Sequence, residues 1–332
     1  MSVAALEAAA PAPRTPPSES LWLGLALLAL MAAAPLLAQV WGGAYVLSLA
    51  MKAMLFAIAV VALDLLVGRG GMVSFGHAAF VGVGAYVTGI GLAEGVSDAL
   101  TLAALAMLGA GLFALATGAI SLRTTGVYFI MITLAFGQML FFSLTSLAQY
   151  GGDDGLTLWR TADLFGTRLL QDAGSLYYVI LAALAATWAL VGVIVNARFG
   201  RVLRAGKENP TRVAAMGYTL YRYRLTAYVV AGMVAGLSGF LLAHQAQFIS
   251  PAAASWQRSG EFLAMVVLGG MGTRNGPLMG ALAFVLVEEA LSSVTQQWRL
   301  IFGPLLILVV LGSRGGLAAL IDRLAGLRPG GR

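Results

Sequence analysis

ARFGRVLRAGKENPTRVAAMGYTLYRYR, residues 197–224, gathers seven of the chain's 20 basic residues around a single acid, Glu208. Apolar runs of membrane-spanning length flank it, Leu176 to Val195 before and Leu225 to Leu242 after. Positive charge is retained on the inner side of a bilayer, so a basic island between two such runs reads as a cytoplasmic loop. Within it, Asn209-Pro210 is a helix-start signal, because Asn caps free amides and Pro suits the first turn. Gly217 supplies the stop. A short helix is therefore expected near 210–216, exposed on the inner face and placed to dock against a cytoplasmic partner.

The 332 residues are 60% hydrophobic and 10% charged, with mean hydropathy +0.88. Soluble domains carry about 25% charged residues, so most of this chain must face lipid or other helices in lipid. The net charge of +6 comes from loops beside apolar runs, which speaks for membrane topology and against nucleic-acid binding. No cysteine and two histidines leave no disulfide, no thiolate chemistry and no zinc site of standard spacing. The 42 glycines suit helices that pack closely in lipid.

The expected fold is an all-α polytopic membrane protein of about ten transmembrane helices, including short or broken Gly-rich segments. Residues 1–20, rich in Pro, Ala, Ser and Glu, are expected to be a disordered cytoplasmic tail. Leu21 to Val40 is the first span; its MAAAP ending resembles a signal-peptide cleavage site, but the topology works best with the segment retained. Further spans are expected near 45–67, 75–93, 99–120, 125–148, 175–195, 224–247, 260–272, 277–297 and 299–313. The one at 260–272 is short and Gly-ended, as in a broken or re-entrant helix. The permease domain would thus cover 21–313, with a coupling loop at 197–224 and a cytoplasmic C-terminal tail at 314–332. This topology puts 15 basic residues inside and four outside (Arg160, Arg168, Arg258 and Arg299), which favours both termini in the cytoplasm. The longest outer loop, 149–174, carries the acids Asp153, Asp154, Asp163 and Asp172.

Val67 to Gly91, VGRGGMVSFGHAAFVGVGAYVTGIG, is the most unusual segment in composition. Two readings stand for it. Ser74, His77, Gly82 and Gly84 line a translocation path or gate on a broken helix, or the glycines pack helices together and His77 bonds a neighbouring carbonyl. Asp64 and Arg69 are close enough for a structural pair, and Lys52 is placed to snorkel. Glu288 and Glu289 are adjacent, so they point about 100° apart and are not expected to share a site. His244 is expected to be an interfacial side chain. Gly206-Lys207 is no phosphate loop, because Gly200 stands six positions before Gly206 and Glu208 stands where Ser or Thr is needed.

The stretch GRGGMVSFGHAAFVGVGAYVTG resembles the glycine-rich signature of branched-chain amino-acid ABC transporter permeases of the LivM type. The outer GGDDGLT, the island with the LTAYVVAGMVAGLSGFLLA that follows it, and LGGMGTRNGPLMGALAF are similar to three later blocks of that family, in the same order. The resemblance implies the ABC importer permease fold and the membrane half of an ATP-driven importer in a bacterial inner membrane. It also implies a second, LivH-like permease, two cytoplasmic ATPase subunits holding ATP and magnesium, and a periplasmic substrate-binding protein. No cofactor is expected in this chain itself. The ATPase-coupling element carries over onto Arg212, Val213, Ala214, Ala215, Met216 and Gly217. This departs from the EAA-x-x-x-G pattern of many importers, since no Glu precedes Ala214-Ala215 and Gly217 follows too soon. Small-residue faces such as Gly232 and Gly236, spaced four apart, are expected at the interface between permeases. A stand-alone secondary transporter or channel is the alternative, and it would need ion-coupling acids near the bilayer midplane. Within the importer reading, urea, short amides and aromatic acids compete with leucine, isoleucine and valine as cargo.

Overall fold

Capping side chains and apolar runs set the helices of this chain. The computed structural model describes residues 21–41, 43–163, 166–167, 169–295, 297, 300–304, 306–307 and 316–318. The expected tails lie outside these residues apart from 316–318, and so does much of the tenth expected span. Among the described residues the main α-helices run in order: α1 Leu21–Trp41, α2 Gly43–Asp64, α3 His77–Ala93, α4 Ala99–Ser121, α5 Val127–Thr145, α6 Ala173–Asn196, α7 Arg198–Glu208, α8 Pro210–Ala215, α9 Leu220–Ala246, α10 Trp256–Gly269 and α11 Gly276–Ser292. A π-helical turn, Leu65–Arg69, extends α2. Among the described residues, five helices are long and apolar enough to cross a membrane: α2 with its π-turn, α4, α5, α6 and α9.

Starts follow local chemistry. The Asp98 carboxylate accepts the Thr101 amide and opens α4, and Asp172 does the same for α6 through the Ser175 amide, both at 2.8 Å. The hydroxyl and amide of Thr101 hold the Asp98 carboxyl below the usual carboxylate range. Asn209 accepts the Arg212 amide at 2.9 Å and Pro210 occupies the first turn of α8, as its sequence requires.

The helix α2 is the central stave. It packs against α1, α6, α9, α10 and α11, and its side chains from Ala53 through Arg69 are buried. The second packing centre is α3–α4–α9, held by glycine. A Cβ on Gly84 of α3 would stand 2.1 Å from the Gly236 carbonyl oxygen of α9, so the two backbones touch. Gly232 and Gly236 meet Ala114, Ala110 and Ala106 of α4 in this same chain. That corrects the expected inter-permease interface: a small-residue stripe promises close approach of some helix, and here the helix is internal.

The long loop after α5 is tied down. Strands β1 (Leu156–Thr157) and β2 (Phe248–Ile249) pair antiparallel, and His244 supports them. His244 is 1% exposed, its Nδ1–H donates to the Phe240 carbonyl and its Nε2 accepts the Ala162 amide. Both bonds need the neutral Nδ1–H tautomer. The residue is therefore a buried structural pin and not the interfacial side chain expected from its place near a helix end. His244→Phe is expected to strand the Ala162 amide and cost about 1–3 kcal/mol, read as a lowered unfolding temperature in detergent.

Candidate functional site

The Gly-rich stretch before and within α3 breaks the helix inside the bundle. Such a start leaves orphan amides that must be satisfied. Ser74 Oγ accepts the Gly76 amide at 3.2 Å, Ser259 Oγ of α10 accepts the Ala78 amide at 3.0 Å, and Thr133 Oγ1 accepts the Phe75 amide at 3.2 Å. His77 is fully buried and donates Nε2–H to the Ala59 carbonyl at 3.0 Å, with its ring edge-on to Phe80 and Phe262. Ser74, His77, Gly82 and Gly84 thus sit in packed contacts. None of the four is among the residues that line the large cavity beside them.

That cavity, about 360 Å³, runs along the N-terminal half of α2. Its size lies at the lower end of the ~300–1,000 Å³ typical of small-molecule sites. Leu49, Leu55, Phe56, Val81 and Leu242 give it apolar walls, while Lys52, Arg258, Glu289, Gln245 and Ser238 bring polar groups. One wall is irregular backbone. After α9 the chain folds back through Ser250 and a 3₁₀ turn, Pro251–Ala254, whose Ala254 fits against Gly82 midway along α3. Within a membrane-spanning bundle, non-helical backbone persists only where protein or a water-filled space surrounds it. Gly82 accordingly supports the cavity from behind, by making room for that turn.

The re-entry relocates Arg258. It does not stay in an outer loop. Its guanidinium lies 5.1 Å from the ring centre of Phe56, halfway along the Gly43–Arg69 span, and pairs with Glu261 at 2.6 Å. Lys52 stands over the same ring at 5.7 Å and pairs with Glu288 at 3.2 Å, so it is held by a partner helix and not freed to snorkel. Glu289 accepts from the Tyr45 hydroxyl. Both adjacent glutamates therefore reach α2, two turns apart, because their long side chains absorb the offset of the helix wheel. Phe56 and Phe262 meet edge-to-face at 5.6 Å beneath the cavity, with His77 packed behind them.

The other end of α2 meets the basic island. Sequence reading found α8 and missed α7, whose amphipathic pattern was the available signal: Gly200, Leu203 and Gly206 are buried while Arg198 and Arg201 are exposed. Lys207 Nζ donates to the Gly68 carbonyl in the π-turn at 2.8 Å. Asp64 accepts the Gly272 amide at 2.7 Å, joining the same turn to the loop between α10 and α11. On α8, Val213 is buried as an anchor, whereas Arg212, Ala214, Ala215, Met216 and Gly217 are exposed. Twelve residues separate Phe56 from Gly68, about 18 Å along a helix. One rigid element thus touches both the cavity and the basic hairpin.

The family model for the branched-chain amino acid transport system permease component matches residues 45–311. A Salmonella typhimurium protein described as a high-affinity branched-chain amino acid transport system permease protein LivM is 27% identical over 297 residues, covering 81% of this chain and 69% of the relative. Its Escherichia coli counterpart is 26% identical over 292 residues, covering 80% and 68%. A Methanocaldococcus jannaschii protein described as a probable LivH permease is 29% identical over 123 residues, 36% of this chain and 38% of that one. No solved structure matches. The match runs through α2, the glycine-packed α3–α4–α9 centre, the cavity and the hairpin alike, and on that ground this all-α, multi-pass membrane chain belongs to the permease-component family of branched-chain amino acid transport systems.

Proposed function

We propose that this chain carries branched-chain amino acids across a bacterial inner membrane, driven by ATPase subunits that grip the α7–α8 hairpin from the cytoplasm. A second, LivH-like permease completes the pathway, a periplasmic binding protein delivers the cargo, and ATP with magnesium is held by the ATPases. Both termini then lie inside, with the cavity mouth toward the periplasm. The observation that carries this reading is the placement of cavity and hairpin on opposite ends of α2. Movement of the hairpin is then conveyed to the cavity through one packed helix. An apolar cavity edged by both signs of charge suits a branched aliphatic zwitterion better than urea or a simple amide.

Reconstitution tests it. Liposomes holding this chain with its permease partner, the ATPases and the binding protein are expected to accumulate leucine only when ATP is present. Liposomes holding this chain alone are expected to accumulate none. Leucine uptake by the lone chain, driven by an ion gradient, would replace the importer with a secondary transporter.

A further inference from the structure

Arg258 occupies the most demanding position of any charge around the cavity. It is half-buried at the mid-height of the central span, where an ionisable side chain is costly and functional by default. Its side chain keeps 31% of its surface accessible while Glu261, its partner one turn along α10, keeps 17%. Arg258 lines the cavity and Glu261 does not, so the pair presents its cation to the cavity. Arginine offers a planar fork that matches a carboxylate with two parallel hydrogen bonds, so a carboxylate arriving in the cavity meets a pre-oriented donor. Phe56 fixes that fork from one side. The other cation, Lys52, is one helical turn nearer the N-terminal end of α2 and is engaged by Glu288 on α11.

Resting on the proposed cargo, we propose that Arg258 is the carboxylate-binding residue of the cavity, holding the carboxylate of the amino acid at mid-span over the Phe56 ring. The apolar side chain of the cargo then lies against Val81, Leu242 and Phe262. Glu261 neutralises Arg258 when the cavity is empty and is the anion that the cargo displaces. Lys52–Glu288 and Tyr45–Glu289 form the outer, charged rim through which the zwitterion passes.

The test uses the assembled transporter and two measurements. In detergent, 4-methylpentanoate, which keeps the carboxylate of leucine and lacks its amine, is expected to raise the unfolding temperature of the wild-type complex, whereas leucinamide is not. Arg258→Gln is expected to abolish the first shift. In liposomes, Arg258→Gln is expected to reduce leucine uptake by about 10- to 100-fold, the loss of one charge-assisted hydrogen-bonded contact. Arg258→Lys, which keeps the charge and loses the fork, is expected to be intermediate in uptake. A merely structural Arg258–Glu261 pair would instead make Glu261→Gln as damaging to uptake as Arg258→Gln and leave the ligand preference unchanged. Wild-type uptake in Arg258→Gln, or equal stabilisation by leucinamide, would overturn the assignment. A wild-type complex that is stabilised by 4-methylpentanoate but moves no leucine would overturn the cargo and leave Arg258 as the carboxylate site.

Discussion

Gly84→Val is expected to abolish the folded protein. The new Cβ would stand 2.1 Å from the Gly236 carbonyl oxygen and 2.7 Å from the carbon of that group, all of it backbone. A flexible side chain could swing away from such a contact, but a helix carbonyl cannot. The α3 and α9 axes would have to part by about an ångström, and Gly239 makes that harder, since its own Cβ position lies 2.0 Å from the Val81 carbonyl oxygen on the same helix pair. Overpacking at a site with this little give costs about 3 kcal/mol or more. Gly260→Ala provides the contrast: its Cβ would meet only Phe75, at an ordinary 3.7 Å, within a helix that gains from alanine. Gel filtration and thermal unfolding in detergent are expected to show aggregated or absent Gly84→Val beside a Gly260→Ala protein at least as stable as wild type. A monodisperse Gly84→Val protein with the wild-type unfolding temperature would mean that α3 and α9 do not depend on this contact.

Gly84 also marks the boundary of what the chain reveals before it folds. The spacing of glycines in 67–91 announces close approach of backbones but not which partner approaches, and the same is true of Gly232 and Gly236, which meet α4 of their own chain. Local signals translate well. Asn209-Pro210 yields a capped helix start, and among the described residues five of the apolar runs yield helices of membrane-crossing length near their expected positions. The amphipathic α7 was hidden because Gly200 and Gly206, poor helix formers in isolation, interrupt a run dominated by arginine. They are there because α7 lies tightly on its neighbours: a Cβ on Gly206 would overlap Leu220. The cavity is the least legible part. Lys52 and Glu288 are 236 residues apart in sequence, and nothing local to either predicts the other. Arg258 follows a short, polar, alanine-rich stretch that reads as a surface loop, so counting charges by loop leaves it in an outer loop. Only the folding-back of 250–255 against Gly82 brings it to mid-span.

Met216→Glu is expected to leave the chain folded and to separate ATP hydrolysis from uptake. Met216 caps the C-terminal end of α8 with 58% of its surface exposed, beside the small side chains of Ala214 and Ala215. The chain alone loses little by accepting a carboxylate there, within about 0.5 kcal/mol for an exposed position. A partner that closes over the tip would instead have to bury an unpaired charge, at a cost of several kcal/mol, which corresponds to a loss of transport of about 100-fold or more. Met216→Leu, which preserves the apolar knob, is expected to transport nearly as well as wild type. The measurement is leucine uptake and ATP hydrolysis in the same liposomes, with unfolding temperature confirming an intact chain. Wild-type uptake by Met216→Glu would place the ATPase contact elsewhere. The expectation is specific to the tip because the rest of the hairpin is committed inward: Val213 and Leu203 are buried, and Lys207 is bonded to the π-turn. In the proposed mechanism, a push on α8 would have little freedom to dissipate within the hairpin. It would be delivered at Gly68, where Lys207 is bonded, and carried by α2, which its neighbours pack along this length, toward Phe56 and the charges that ring the cavity.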